Sequence, residues 1–229
     1  MIKDNVAKIR CQIRQACVKA GRDPSEITLV AVSKNRGPEA IREAVSCRIT
    51  DIGENRVQEA ATKYNNLQFP LGHQPKWHLV GHLQTNKVKE AVKIFDLIHS
   101  VDSLRLAEEI DKQALKLDKV QDLLLEIKTS PEETKYGIKP EEAIEIAGRI
   151  ARLSNIRLCG LMTIAPLMDN SEGARPYFKT LKGLFDKINS LAAISHKLSI
   201  VSMGMTDDFA VAIEEGATMI RLGRAVFEG

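Results

Sequence analysis

The sequence predicts an α/β fold of the (β/α)8, TIM-type barrel class, spanning residues 1–229 as a single domain with one extra helix at the N-terminus. Short apolar runs rich in β-branched residues recur about eight times. Each is separated from the next by a stretch whose apolar positions have helical spacing. Strands separated by helices run parallel with crossover connections, and eight such units in 229 residues match a closed barrel. A doubly wound open sheet is the alternative. Against it, no G-x-G-x-x-G follows the first strand, and no Gly- or Pro-rich linker divides the chain.

The elements follow in order. Val6, Ile9, Ile13 and Cys17 recur at helical spacing, and Gly21 and Pro24 end that first helix, which precedes the first strand and covers the bottom or side of the barrel. A strand over 27–33 follows, then a helix over 39–47 with Pro38 in its first turn. Strand 49–53 leads to helix 54–64, strand 77–81 to helix 86–93, and strand 95–100 to a helix capped by Ser103 that reaches about 117. Strand 120–127 leads to helix 140–152, and strand 156–162 to a helical stretch over 171–194 broken near Pro176. Strand 198–202, helix 206–215 and strand 218–222 complete the series.

Composition narrows the function classes. The chain is 44% hydrophobic and 28% charged, as in ordinary soluble proteins, and is long enough to bury a core without staples. A net charge of +3 argues for neither nucleic acid nor membrane, and 4% aromatic residues make a poor base-stacking surface. No run approaches the roughly 20 apolar residues of a membrane span, and the N-terminus lacks the apolar stretch of a signal peptide, so the expected location is cytoplasmic. Cys11, Cys17, Cys47 and Cys159 form no C-x-x-C pair and are expected to be reduced, mostly buried thiols. His78 and His82 lie four apart but flank a strand end, and no third zinc ligand is evident.

In this fold the site lies at the C-terminal ends of the strands. The run from Ile27 to Ser33 stops at Lys34 and is followed by Asn35-Arg36-Gly37-Pro38, which reads as a buried strand delivering an amine to a loop. Partial desolvation there favours the neutral amine and makes Lys34 a Schiff-base candidate; its ordinary role would be to snorkel to solvent. The other strand ends bring Glu54 and Asn55, Gly81 and His82, Ser100, Lys128, Met162 and Thr163, Ser202 to Gly204, and Arg221 to Arg224 to the same face.

Ser202-Met203-Gly204-Met205-Thr206-Asp207-Asp208 connects strand seven to a helix. Gly204 allows close backbone approach, Thr206 is a helix cap, and Asp207 and Asp208 suit the first turn. Gly223 and Arg224 offer further backbone donors after strand eight. Barrels often bind phosphate at these two loops, although a capped surface helix and a tight turn would explain the same residues without a ligand. Strand eight closes beside strand one, so a phosphate held there lies near the amine of Lys34. That pairing suggests pyridoxal phosphate, with Arg221 either facing the pyridine nitrogen or forming a strand-end salt bridge. An arginine keeps its protons, leaves that nitrogen unprotonated and weakens the electron sink, so the chemistry would be gentle or absent.

These residues carry a resemblance. Ala31 to Lys34, Gly53 to Asn55, Trp77 to Lys87, Gly160 to Met162, Ser202 to Asp208 and Ile220 to Gly223 resemble, in matching order over nearly the whole chain, the pyridoxal phosphate homeostasis proteins. The resemblance implies a fold-type III barrel like the N-terminal domain of alanine racemase, with Lys34 carrying pyridoxal 5'-phosphate as an internal aldimine. It implies phosphate contacts near Ser202, Met203, Gly204, Gly223 and Arg224, with Asn55 and Met162 lining the cofactor. It further implies intracellular buffering or delivery of the cofactor, with PLP-requiring apo-enzymes or a regulatory protein as partners. Many members carry Thr where this chain has Arg224, and the chain ends at Phe227-Glu228-Gly229 where relatives often continue from Phe-Gly.

Two other functions share this scaffold. An amino-acid racemase needs an acid on each face of the substrate Cα, and racemases of this barrel type take a tyrosine from an added β-domain of the partner. Of Tyr64, Tyr136 and Tyr177, only Tyr136, after strand five in Thr134-Lys135-Tyr136-Gly137, is placed to approach the mouth. Loss of one general acid typically costs two to four orders of magnitude, so the sequence reads as a non-catalytic carrier. A cofactor-free sugar-phosphate isomerase or Schiff-base aldolase would need a carboxylate or histidine base. Glu54 and His82 are available, with a helix N-terminal charge and a loop hydrogen bond as their ordinary roles.

Overall fold

Strands β1 (Thr28–Val32), β2 (Asp51–Glu54), β3 (Lys76–Leu79), β4 (Leu97–Val101), β5 (Gln121–Glu126), β6 (Ile156–Met162), β7 (Ile200–Ser202) and β8 (Met219–Leu222) run parallel and close in sequence order into a barrel in this computed structural model. The structure describes residues 1–70, 74–132, 136–191, 194 and 197–228. Closure is made by β1 on β8, with Ala31 beside Leu222. The crossovers carry α2 (Pro38–Ser46), α3 (Val57–Asn66), α4 (Val88–Ile94), α5 (Leu104–Leu115), α6 (Ala143–Ile150), α7 (Arg175–Ser190) and α8 (Phe209–Glu214). Before them stands α1 (Ile2–Ala20), and after them α9 (Arg224–Phe227).

The strand period of two sorts the residues into two cores. Val30, Val32, Val80, Leu97, Leu124, Met162 and Met219 pack together inside the barrel. Their outward neighbours, such as Ala31, Ile52, Leu79 and Ile220, join the larger core under the helices. The helix α1 buries Ile2, Val6, Ile9, Ile13 and Cys17 and stops at Gly21, whose φ of 66° is the left-handed cap that glycine favours. It packs on α8, α9 and α2, at the side of the barrel rather than its bottom, and Asn5 Nδ2 donates to Val226 O at 3.1 Å.

Several boundaries differ from the sequence expectation. Glu54 stays in β2, and α3 begins only at Val57. Thr206 does not cap α8: the Met205 N–H donates to Asp208 Oδ1 at 2.6 Å, that turn occupies 205–208, and α8 begins at Phe209, while Thr206 Oγ1 accepts from the Ala225 N–H in the first turn of α9 at 3.4 Å. The helical stretch expected to break near Pro176 changes there: a 3-10 turn over Ser171–Ala174 gives way to α7, in whose first turn Pro176 lies with its missing N–H harmless. The four cysteines are free thiols, but only Cys17 is buried and Cys11 is exposed. Among the described residues, no helix is long and apolar enough to cross a membrane, and no cluster of metal-binding side chains occurs. His73, Thr134, Lys135, His196 and Gly229 lie outside the described residues.

Candidate functional site

Lys34 stands one residue past Ser33 at the C-terminal end of β1, in a turn with Asn35. Asn35 has φ 60°, a conformation that asparagine tolerates better than most residues. Both neighbours of Lys34 are anchored. The Ser33 N–H donates to Gly53 O at 2.9 Å, and Ser33 Oγ donates to Glu54 Oε1. Lys63 Nζ, from α3, donates to Ser33 O at 2.6 Å, to Glu54 Oε1 at 2.6 Å and to Glu59 Oε1 at 2.8 Å. Glu59 Oε1 also accepts from the Asn35 N–H at 2.7 Å. The turn is therefore held from below by a buried ion-pair network, while Lys34 itself is exposed and has no hydrogen bond or ion pair among the described residues. The expected desolvation of Lys34 is absent because the turn lifts it clear of the core.

Within that network, burial pushes the Glu54 carboxyl up, and the hydrogen bonds from Lys63 and Ser33 offset this only in part. Glu54 Oε2 has no partner among the described residues. Glu54 therefore serves the Lys34 turn and does not present a base at the mouth, and it is not a helix N-terminal charge. His82 is also occupied: its ring stacks on Tyr136 with centroids 3.7 Å apart, and Nδ1 lies 3.3 Å from Asp102.

Across the β1–β8 seam, Leu222 pairs with Ala31, so Gly223 and Arg224 emerge beside the Lys34 turn. Gly204 has φ 91°, and a Cβ on it would lie 2.6 Å from Ala212 Cβ. Among the described residues, the N–H groups of Gly204, Gly223 and Arg224 donate to no protein acceptor. Three free backbone donors on adjacent loops make an anion cradle. The Arg224 guanidinium turns away and pairs with Asp207.

Arg221 lies between the two sides. It is 4% exposed, with NH1 donating to Ser202 Oγ at 2.6 Å and NH2 to Thr163 O at 2.9 Å. Burial lowers this guanidinium to about 10 against the pull of Asp208 and Glu126, so it stays charged at neutral pH. Glu126 ends β5 and is pushed up to about 7 by burial and by Asp102. With Lys128 and Tyr136 it lines a cavity of about 190 Å³ at the mouth. A larger hollow, of about 540 Å³, opens at the opposite, N-terminal end between Asp51, His78 and Arg157.

Asn55 is half-buried just past β2, and a Cβ on Gly81 would lie 2.3 Å from Asn55 O, so glycine at 81 lets the third loop close on it. Met162 is fully buried in the interior cluster, beneath the mouth. Ser202 is also buried, its Oγ engaged by Arg221 and by His99 Nδ1 at 3.0 Å. Met203 packs its side chain into the outer core and donates its N–H to Met219 O, so it turns neither towards the mouth. Sequence reasoning passed over Glu126, Lys63 and the pairing of His78 with His99, and it placed Thr163 at the mouth without seeing that its carbonyl holds Arg221. For the histidines a signal existed, since each is two residues from an interior apolar residue (Val80 and Leu97).

The arrangement fits a phosphorylated aldehyde. It joins a free amine, three unpaired N–H donors and a buried cation in one mouth.

Comparison with known proteins agrees with this geometry. The family described as the alanine racemase N-terminal domain matches residues 5–229. A pyridoxal phosphate homeostasis protein of Aquifex aeolicus is 43% identical over 225 residues, covering 98% of this chain and 96% of its own. The protein of the same name from Escherichia coli K12 is 37% identical over 227 residues, with 99% and 95% covered. PipY of Synechococcus elongatus PCC7942, solved with PLP bound, superposes with a TM-score of 0.86 at 35% identity, covering 99% of this chain and 100% of that one. An alanine racemase of Clostridium difficile shares the fold, with a TM-score of 0.74 at 18% identity, and the match spans 56% of that longer chain.

Proposed function

The chain belongs to the pyridoxal phosphate homeostasis proteins, which are built on the alanine racemase N-terminal domain, and from that membership we propose that it binds pyridoxal 5'-phosphate at the C-terminal mouth and buffers or delivers it inside the cell. The observation that carries this is the exposed Lys34 on the turn beside the unpaired N–H groups of Gly223 and Arg224 across the β1–β8 seam, with that of Gly204 on the neighbouring loop. Residues 1–229 act as one domain, in the cytoplasm, with PLP-requiring apo-enzymes or a regulatory protein as partners.

Lys34 would hold the cofactor covalently through Nζ. Gly204, Gly223 and Arg224 would bind its phosphate by their N–H groups, and Arg221 would face the ring nitrogen. Asn55 and Met162 would line the ring. Ser202 acts by holding Arg221, and Met203 by shaping the backbone that leads to Gly204. Bound there, the cofactor supplies an aldehyde for amines and a ring that can accept electrons. Arg221 would donate to that ring without giving up a proton, which would keep its electron demand low and suits a carrier.

The visible spectrum of the purified protein tests this. A yellow band that is absent in Lys34→Ala, with borohydride fixing the adduct on Lys34 by mass mapping, is the expected result. A protein that stays colourless with added pyridoxal phosphate overturns it. Tyr136 beside Glu126 in the mouth cavity favours a second reading, a weak racemase. Interconversion of D- and L-alanine that is lost in Tyr136→Phe would establish that activity.

A further inference from the structure

A barrel interior is ordinarily filled by layers of branched apolar side chains. Here a buried polar series crosses it. Inward positions of β2, β3, β4, β7 and β8 carry Asp51, His78, His99, Ser202 and Arg221, and all five are buried. Asp51 Oδ1 lies 2.9 Å from His78 Nε2, His78 Nδ1 lies 3.0 Å from His99 Nε2, and His99 Nδ1 lies 3.0 Å from Ser202 Oγ. Arg221 NH1 completes the series on Ser202 Oγ at 2.6 Å. Asp51 and His78 line the hollow at the N-terminal end, so the series runs from that end to the mouth.

With both rings neutral, donor and acceptor arithmetic leaves one arrangement of protons. A carboxylate only accepts and a guanidinium only donates. Asp51 therefore takes the Nε2 hydrogen of His78. The bare Nδ1 of His78 takes the Nε2 hydrogen of His99, and the bare Nδ1 of His99 takes the Ser202 hydroxyl hydrogen. The Ser202 lone pairs then receive Arg221. Every link has one donor and one acceptor, and both rings are neutral. A further proton on His78 would set donor against donor or force His99 into its other tautomer, and that change, like a further proton on His99, would leave the Ser202 hydrogen without its partner.

The electrostatic surroundings of His99 and Asp51 are in keeping with this arrangement. Burial, His78 and Arg221 together hold His99 well below the ordinary histidine range. Burial pushes the Asp51 carboxyl up, but the bonds from His78 and Thr50 outweigh it and keep Asp51 below the usual carboxylate range.

We infer that Asp51, His78, His99 and Ser202 are positioning residues, a one-way hydrogen-bond relay through the barrel axis that fixes the Arg221 guanidinium and ties its charge to a carboxylate at the far end of the barrel. The consequence for the cofactor, a fixed donor facing the ring nitrogen, rests on the reading of the mouth given above. The relay itself does not.

The experiment has two parts. Nitrogen-15 NMR of the apo-protein reads the proton on each ring nitrogen and the coupling across the His99 Nε2–H to His78 Nδ1 bond. Both rings protonated on Nε2 alone, with that coupling present, is the expected result. A charged ring, or an Nδ1 hydrogen on either, overturns the relay whether or not the cofactor binds. The second part compares holo-protein with Asp51→Asn, whose amide can donate to His78 Nε2 and reverse the series. The reversed tautomers should appear, the visible band of the bound cofactor should shift, and affinity should fall by about tenfold, the scale of one disturbed buried hydrogen bond. His99→Gln should move the band and the affinity likewise. Unchanged band and affinity in both folded variants overturn the positioning role. A wild-type protein with the expected tautomers that takes up no cofactor leaves the relay standing and overturns the reading of the mouth.

Discussion

Two buried polar networks meet near the mouth, and they are built in opposite ways. The one beneath Lys34 lies outside the sheet, between β1, β2 and α3, and is made of charges: Glu54, Lys63 and Glu59 clamp the backbone of Ser33 and Asn35. The one beneath Arg221 runs inside the barrel, is charged only at its ends, and clamps a side chain. The first leaves Glu54 Oε2 without a partner among the described residues; in the second each linking group is matched. A backbone turn needs only to be pinned, whereas a guanidinium that must keep one orientation needs directed bonds. The charged network should therefore dominate stability, and the neutral one cofactor recognition.

The largest effect should come from Lys63→Met, which strands Glu54 as a buried unpaired charge. About 3–5 kcal/mol of stability is expected to be lost, measured by urea unfolding. Adding Glu54→Gln should restore part of it, and a double variant no better than the single one would break the contrast. Next, His99→Gln should cost about 1–3 kcal/mol, the scale of a buried polar group left with poorer partners. A loss as large as that of Lys63→Met would make the relay a stability element after all.

Glu126, close to the upper end of the relay, gives a pH test. Its carboxyl sits at about 7 against an ordinary 4.5, so between those values the folded state binds more protons than the unfolded one. Stability therefore falls as pH rises from about 4.5 to about 7. Glu126→Gln should remove that slope, stabilising the protein at pH 8 by about 1–3 kcal/mol and changing little at pH 4. A slope that survives the substitution would assign it to other groups. The smallest effect is expected at Arg224→Ala. Its exposed pair with Asp207 should contribute less than about 1 kcal/mol. Cofactor affinity should hold as well, because only the N–H of that residue is offered to the cradle.

The legible part of the molecule was the part written in contiguous residues. The apolar run into Lys34 and the regular alternation of strand and helix suffice for the barrel and its mouth, and Gly204, Gly223 and Arg221 follow from strand ends. What was illegible depends on partners brought together across the barrel. Glu54 after a glycine looks like the start of a helix, and only Lys63 and Ser33 reveal why it is kept at a strand end. His78 and His99 read as isolated polar residues within strands until closure places them 3.0 Å apart. Thr206 reads as the cap of its own helix, but the Asp208 carboxylate closes that turn, and the Thr206 hydroxyl instead meets the Ala225 N–H of α9, a partner supplied only by barrel closure.

The contact between α1 and the end of the chain bears on how the molecule is made. The apolar stripe of Ile2, Val6, Ile9 and Ile13 is covered by α8 and α9, and Asn5 bonds to Val226. On a ribosome α1 emerges before every strand of the barrel, and most of its cover follows only with α8 and α9. At about 5–20 residues per second it waits on the order of ten seconds or more, with an oily face open to chaperones and to aggregation.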